Sequence, residues 1–182
     1  KTSDLPFSAG WLGFARYELG ELLEPRSAIN ASNVDDVFWA GYYAWAVVQD
    51  HVKQCAWLIW QETIEHSTLA NIRRLLKQSV TLAPFTLSTD FTANTDYSTY
   101  ERQVERIQQY INAGDCYQVN YSIGFSAQFK GSSFSAYQQL RQAVPSPYMA
   151  FIQHGKQQLL SISPERFIAA NGRNIHSKPI KG

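Results

Sequence analysis

The chain has 182 residues, 45% of them hydrophobic and 14% aromatic, with a formal net charge of +1. That balance fits a globular domain able to bury a core, and it lacks the basic stripe of a nucleic-acid surface. The uncharged apolar run 37–49 falls short of the roughly 20 apolar residues of a membrane span.

Cys55 and Cys116 lie outside any C-x-x-C pair, so a zinc site or disulfide framework is not expected; two reduced thiols in a cytoplasmic protein are. No apolar leader follows Lys1-Thr2-Ser3-Asp4, and Lys178-Pro179-Ile180-Lys181-Gly182 stops in mid-pattern. Residues 1–182 are therefore expected to form one incomplete domain, cut at both ends.

In chain order, 11–19 reads as a strand, and 40–49 and 54–60 flank the polar Asp50-His51-Val52-Lys53 as a predicted hairpin. Ile64, Leu69, Ile72, Leu75 and Leu76 share one face at helical spacing, which predicts an amphipathic helix over 62–79. Pro84 and the Ser/Thr-rich stretch to Thr95 read as a connection. Ser98 and Glu101 form an S-x-x-E capping box for a helix whose stripe is Tyr100, Val104, Ile107 and Ile111, with Gly114 placed to end it.

Residues 116–129 read as a strand, and a short helix starts near Ser133, carries Phe134, Tyr137 and Leu140, and ends before Pro145. Strands follow over 148–154, 157–163, 166–170 and 173–180, with Asn171-Gly172 as the hairpin signal between the last two. Consecutive hairpins with inserted helices define an α+β fold of mainly antiparallel sheet.

Three segments carry groups capable of chemistry. Gln118 and Asn120 would share one face of the strand 116–129, either lining a polar site or, as is commoner for amides, facing water. In Ser161-Ile162-Ser163-Pro164-Glu165-Arg166-Phe167 the proline interrupts a strand, which can re-aim a side chain. Glu165 there is a candidate general acid; an exposed cross-strand partner for a lysine is the ordinary alternative. Lys181 sits between Ile180 and Gly182, with backbone room for a ligand. It acts as a nucleophile only as the free amine, a form favoured by desolvation or by nearby cations such as Lys178 and Arg166; a surface lysine is the commoner outcome for such a pentapeptide.

Loop register decides whether the two could meet. A two-residue loop at Asn171-Gly172 sets Glu165 opposite Lys178 and turns Lys181 to the other face. A three-residue loop, 171–173, pairs Glu165 with Pro179 and puts Lys181 on the same face, with Cα atoms roughly 7–9 Å apart. A working pair requires the odd loop or a bulge, and a strict two-residue register counts against it.

Four stretches, Gly10–Gly20, Gly114–Asn120, Ser161–Phe167 and Pro179-Ile180-Lys181-Gly182, occur in one order that resembles the chorismate-utilising enzyme family. The resemblance is strong over 97–182 and weaker over 6–60. It implies part of a two-sheet sandwich, with 1–95 as the N-terminal part of the sheet framework and 96–182 as the first part of the chorismate-binding region. Members that add water to chorismate carry a lysine base where this chain has Gln118, so the implied nucleophile is ammonia. Anthranilate-forming members usually read Pro-Ile-Ala-Gly where this chain has Lys181.

The resemblance therefore implies amination of chorismate to 4-amino-4-deoxychorismate, in the 4-aminobenzoate branch of folate biosynthesis. Formation of anthranilate for tryptophan is the alternative, and a non-catalytic α+β binding module is a third reading. By the same resemblance Lys181 adds to the ring at C2 while Glu165 protonates the departing C4 hydroxyl, and Gln118 and Gly182 bind substrate. A Mg²⁺ ion is implied, with ligands beyond residue 182, so no metal ligand falls in this chain. A glutamine amidotransferase subunit is the implied source of ammonia.

Pro147, Tyr148 and Met149, within Pro145-Ser146-Pro147-Tyr148-Met149, resemble the segment lining the tryptophan feedback pocket of anthranilate-forming members. They read equally as a proline-bounded strand entry, and Val144 stands where those members have asparagine. Tyr121-Ser122-Ile123-Gly124-Phe125 also departs from the Gln-Arg or Arg pair common after the asparagine. The 182 residues alone are expected to be inactive.

Overall fold

The computed structural model describes residues 5–24 and 37–180. The chain divides into two compact units, 1–80 and 81–182, and each is taken by itself. Strands paired antiparallel, with helices between them, make the α+β fold expected from the pattern.

In the first unit, β1 (Gly10–Ala15) pairs antiparallel with β2 (Phe38–Tyr43), with Gly13 opposite Ala40. A Cβ on Gly13 would lie 2.0 Å from the Trp39 carbonyl oxygen, so the two backbones approach where only glycine fits. β1 stops short of the expected Leu19: the chain turns at Tyr17-Glu18 into the short helix α1 (Leu19–Leu23).

The expected strand 40–49 is two strands. A bend at Ala44 sends β2 back to β1, while β3 (Trp45–Asp50) pairs with β4 (Cys55–Trp60). The bend is held across the sheet ends, where the Gln61 amide donates to the Ala44 carbonyl at 2.9 Å and its side chain to the Tyr42 hydroxyl at 2.6 Å. Nothing in an unbroken apolar run marks such a break. The predicted β3–β4 hairpin closes at Asp50 opposite Cys55, and the Asp50 carboxylate accepts from the amides of Val52 (3.0 Å) and Lys53 (2.9 Å).

The helix expected over 62–79 is shorter, α2 (His66–Leu75), because Gln61 to Ile64 form a turn and Glu65 is extended. Its apolar face is as predicted, with Leu69 and Ile72 buried, and Arg73 lies 5.4 Å over the Trp60 ring of β4.

The second unit begins with a difference. The Ser/Thr-rich stretch carries β5 (Thr86–Leu87) and β6 (Thr92–Ala93), which pair antiparallel with β8 (Phe129–Lys130) and β7 (Phe125–Ser126). Between them, α3 (Tyr97–Ala113) starts two residues earlier than the Ser98 box predicts. Asp96 is its cap, accepting from the Thr99 amide at 2.8 Å, the Ser98 hydroxyl at 2.6 Å and the Thr99 hydroxyl at 3.0 Å. A carboxylate outcompetes a hydroxyl for this role because it accepts several bonds at once and carries charge at the helix N-terminus. The Ser98 hydroxyl, then the Thr99 amide and hydroxyl, hold the Asp96 carboxyl down at about 2. At the other end Gly114 is left-handed (φ 82), as predicted, and the Asp115 amide reaches back to the Tyr110 carbonyl at 3.0 Å.

α4 (Ser133–Ala143) is capped by Ser132 and packs its Phe134 and Tyr137 rings on Phe151, at centroid distances of 5.0 and 5.8 Å. β9 (Tyr148–His154) and β10 (Gln157–Ser163) match the predicted strands residue for residue. They run antiparallel from His154 opposite Gln157 to Tyr148 opposite Ser163, with Ile152 buried beneath α4 and Ala136 and Tyr137 buried above. β11 (Ala169–Asn171) and β12 (Asn174–His176) form the last hairpin.

Candidate functional site

Glu165 lies between two ladders. β10 ends at Ser163 because Pro164 has no N–H with which to extend it, and β11 begins only at Ala169. The Ser163 hydroxyl accepts from the Glu165 amide at 3.2 Å and donates to the Glu165 carbonyl at 3.1 Å. One residue on, the Arg166 guanidinium sits 5.7 Å over the ring of Tyr148, the first residue of β9. The Arg166 Nε is buried without a hydrogen-bond partner, so its stacking on Tyr148 is what the structure gives it.

The β11–β12 hairpin follows neither expected register. Ala169 faces His176 and Asn171 faces Asn174, so the loop is Gly172-Arg173, displaced by one residue. Gly172 takes φ 59, the positive angle that the first position of a II′ turn requires. Extended unbroken, this strict two-residue register would set Glu165 opposite Ile180 rather than on the face of residue 181. That counts against a simple cross-strand pairing of Glu165 with Lys181.

The ladder is not extended unbroken. Past His176 the strands are joined through side chains: the Ser177 hydroxyl donates to the Phe167 carbonyl at 2.9 Å, and the Ile180 amide donates to Glu165 Oε1 at 3.2 Å. The carboxylate of the candidate acid thus rests on the backbone N–H of the residue that precedes Lys181. Lys181 and Gly182 themselves fall outside the described residues.

Gln118 is placed differently from expectation. Residues 118–124 form no strand, and Gln118 and Asn120 are both exposed rather than aligned on a sheet face. The aromatic content of this segment serves a helix instead, with the Tyr121 ring 5.9 Å from Tyr100 of α3. Its backbone is tied to Asn94, whose side chain accepts from the Gly124 amide at 3.0 Å. Pro147 is exposed, while Tyr148 and Met149 open β9 opposite Ser163 and Ile162. They therefore border the Glu165 segment through Arg166 and the β10 ladder. Ser163 and Ser177 are not legible in the sequence, because a serine beside a proline or after a strand carries no spacing signal of its own.

Two cavities lie elsewhere. One, of about 880 Å³, is bordered in the first unit by Pro6, Val48, Trp57 and Trp60; the other, of about 720 Å³, lies in the second unit among Phe85, Leu87, Phe129, Leu140 and Leu160. Cys55 and Cys116 are free thiols. Among the described residues no group of three or more His, Cys, Asp and Glu is placed to hold a metal ion, and no helix is long and apolar enough to cross a membrane.

The sequence profile of the chorismate binding enzymes matches residues 1–182, and the chain belongs to that family. It is 35% identical over 183 residues to aminodeoxychorismate synthase component 1 of Escherichia coli (strain K12), covering 98% of this chain and 39% of that protein. It is 36% identical over 182 residues to the protein of the same name from Salmonella typhimurium (strain LT2), with 98% and 39% covered. The anthranilate synthase component I-like protein of Synechocystis is more distant, at 30% over 186 residues, with 98% and 37% covered. The chain thus spans about two-fifths of the length of these curated relatives. Its fold superposes with a TM-score of 0.80 on the crystal structure of anthranilate synthase component I from Streptococcus pneumoniae TIGR4, at 26% identity, covering 93% of this chain and 41% of that one.

Proposed function

We propose that the protein to which these residues belong aminates chorismate to 4-amino-4-deoxychorismate, with Lys181 as nucleophile and Glu165 as proton donor. The observation that supports this most is the hydrogen bond from the Ile180 amide to Glu165 Oε1, at 3.2 Å, which ties the carboxylate to the backbone one residue before the lysine. The closer identity to aminodeoxychorismate synthases than to the anthranilate synthase-like relative supports the same choice.

The chemistry splits one displacement into two. The free amine of Lys181 forms a bond to C2, the two conjugated ring double bonds each shift by one position, and the C4 hydroxyl leaves as water with the proton of Glu165. Ammonia then forms a bond to C4, both double bonds shift back, and the lysine departs from C2 as the neutral amine. The carboxylate of Glu165 takes the surplus proton from the new ammonium group and is reset. Gln118 has no basic nitrogen with which to activate water, in keeping with ammonia as the nucleophile. Gln118 and Gly182 are read as substrate contacts, although the exposure of Gln118 gives it no enclosed site within this chain.

Ammonia would come from a glutamine amidotransferase subunit, the second component that the relatives' names imply. Mg²⁺ is the proposed cofactor. The described residues offer it no ligand set, and its ligands are expected, by the resemblance, beyond residue 182. A cytoplasmic location, and tryptophan as a ligand near Pro147, Tyr148 and Met149, belong to the same reading.

The test uses the full-length protein with chorismate, ammonium and Mg²⁺. The product expected is 4-amino-4-deoxychorismate, identified by chromatography and mass. Direct appearance of fluorescent anthranilate would overturn the assignment in favour of the tryptophan branch.

A further inference from the structure

We propose that Ser163 is a positioning residue for Glu165; the inference rests on the reading of Glu165 as the acid in chorismate amination. Pro164 ends the β9–β10 ladder and the next ladder opens at Ala169, so the backbone of Glu165 has no strand partner. The Ser163 hydroxyl supplies both missing bonds, accepting from the Glu165 amide at 3.2 Å and donating to its carbonyl at 3.1 Å. A single oxygen that brackets the two peptide groups on either side of one Cα fixes φ and ψ there. The direction of that residue's side chain follows.

Glu165 is then held at two points. Ser163 sets its root, and the Ile180 amide holds its tip at 3.2 Å. The residues beyond are secured separately, Arg166 over Tyr148 at 5.7 Å and the Phe167 carbonyl by the Ser177 hydroxyl at 2.9 Å. Removing the Ser163 hydroxyl would leave the segment attached but free the Glu165 backbone to rotate. A carboxyl displaced by about 1 Å from its proton acceptor loses rate without losing substrate binding.

Steady-state kinetics of ammonia-dependent chorismate amination by the full-length protein test this with four variants. Glu165→Gln should lower kcat at least about a hundredfold. Ser163→Ala should lower kcat about tenfold with KM within about twofold, and Ser163→Thr, which keeps the hydroxyl, should recover kcat to within about threefold of the parent. The double variant Ser163→Ala/Glu165→Gln should be no slower than Glu165→Gln alone, since the serine acts only through the glutamate. If Ser163→Ala does not fold, Ser163→Cys, with its weaker hydrogen bonds, should show the same loss confined to kcat.

A kcat within twofold of the parent in Ser163→Ala, or a loss that multiplies in full with Glu165→Gln, overturns the positioning role and leaves Glu165 as the acid. Near-parent kcat in Glu165→Gln instead overturns the reading of Glu165 itself.

Discussion

At the residue scale, Asp96 shows how one side chain settles a boundary. Its carboxyl is held down to about 2, chiefly by the Ser98 hydroxyl and then the Thr99 amide, against a free value of 3.8. A depressed carboxyl adds stability that is present above its unfolded value and is lost as pH falls through the folded one. Thermal unfolding should therefore show a contribution lost between pH 3.8 and about 2. Asp96→Asn should remove that pH dependence while keeping a cap, and Asp96→Ala should lower Tm by about 2–4 °C at neutral pH. An Asp96→Asn acid profile identical to the parent's would show that the carboxylate is not the source.

The role proposed for Glu165 was the least legible. In sequence Glu165 is one exposed glutamate among many; the proline before it signals a bend, but its meeting with the Ile180 amide emerges only in the fold. The role proposed for Lys181 rests on resemblance alone, because Pro179-Ile180-Lys181-Gly182 carries no periodicity that distinguishes it from a surface segment.

At the element scale, β9 and β10 were legible to the residue because Pro147, Gly155 and Pro164 punctuate an apolar run on all sides. The last hairpin was legible as a hairpin but not in register. Asn171-Gly172 fits a loop at either of two offsets, and Gly172 takes its positive φ at the first loop position. The strand expected over 116–129 failed for a different reason. Its tyrosines have high β propensity, yet Tyr121 packs on Tyr100 of α3 while only Phe125–Ser126 and Phe129–Lys130 find strand partners. Tertiary packing overrode the local preference.

The β1–β2 pair gives this scale its prediction. Gly13→Ala would place a methyl 2.0 Å from the Trp39 carbonyl oxygen and 2.7 Å from the Ala40 Cα, both rigid backbone. It should destabilise the protein by about 2 kcal/mol or more. Gly20→Ala, whose Cβ meets nothing within 4 Å, should cost less than 1 kcal/mol or stabilise slightly. Denaturant titration of both variants checks the contrast, and equal midpoints would contradict it.

At the scale of the whole molecule, the chain matches relatives more than twice its length, and among its described residues no side chain is fully buried. Trp11 at 70%, Phe125 at 63% and Ile175 at 71% exposure are large apolar groups of a kind usually covered in a working enzyme. The 182 residues alone should accordingly show no ammonia-dependent consumption of chorismate; measurable turnover by the isolated piece would refute this. The α+β class was legible from hairpins alternating with helices. The division into units 1–80 and 81–182 was not, since no linker composition marks residue 80.

The most direct test of the central claim is the mass of the peptide carrying Lys181 after the full-length protein is mixed with chorismate and Mg²⁺ and ammonia is withheld. The account predicts a gain equal to chorismate less one water on Lys181, lost on adding ammonium and absent from Lys181→Ala. Formation of 4-amino-4-deoxychorismate at the parent rate by Lys181→Ala, with no adduct on the parent, would contradict it.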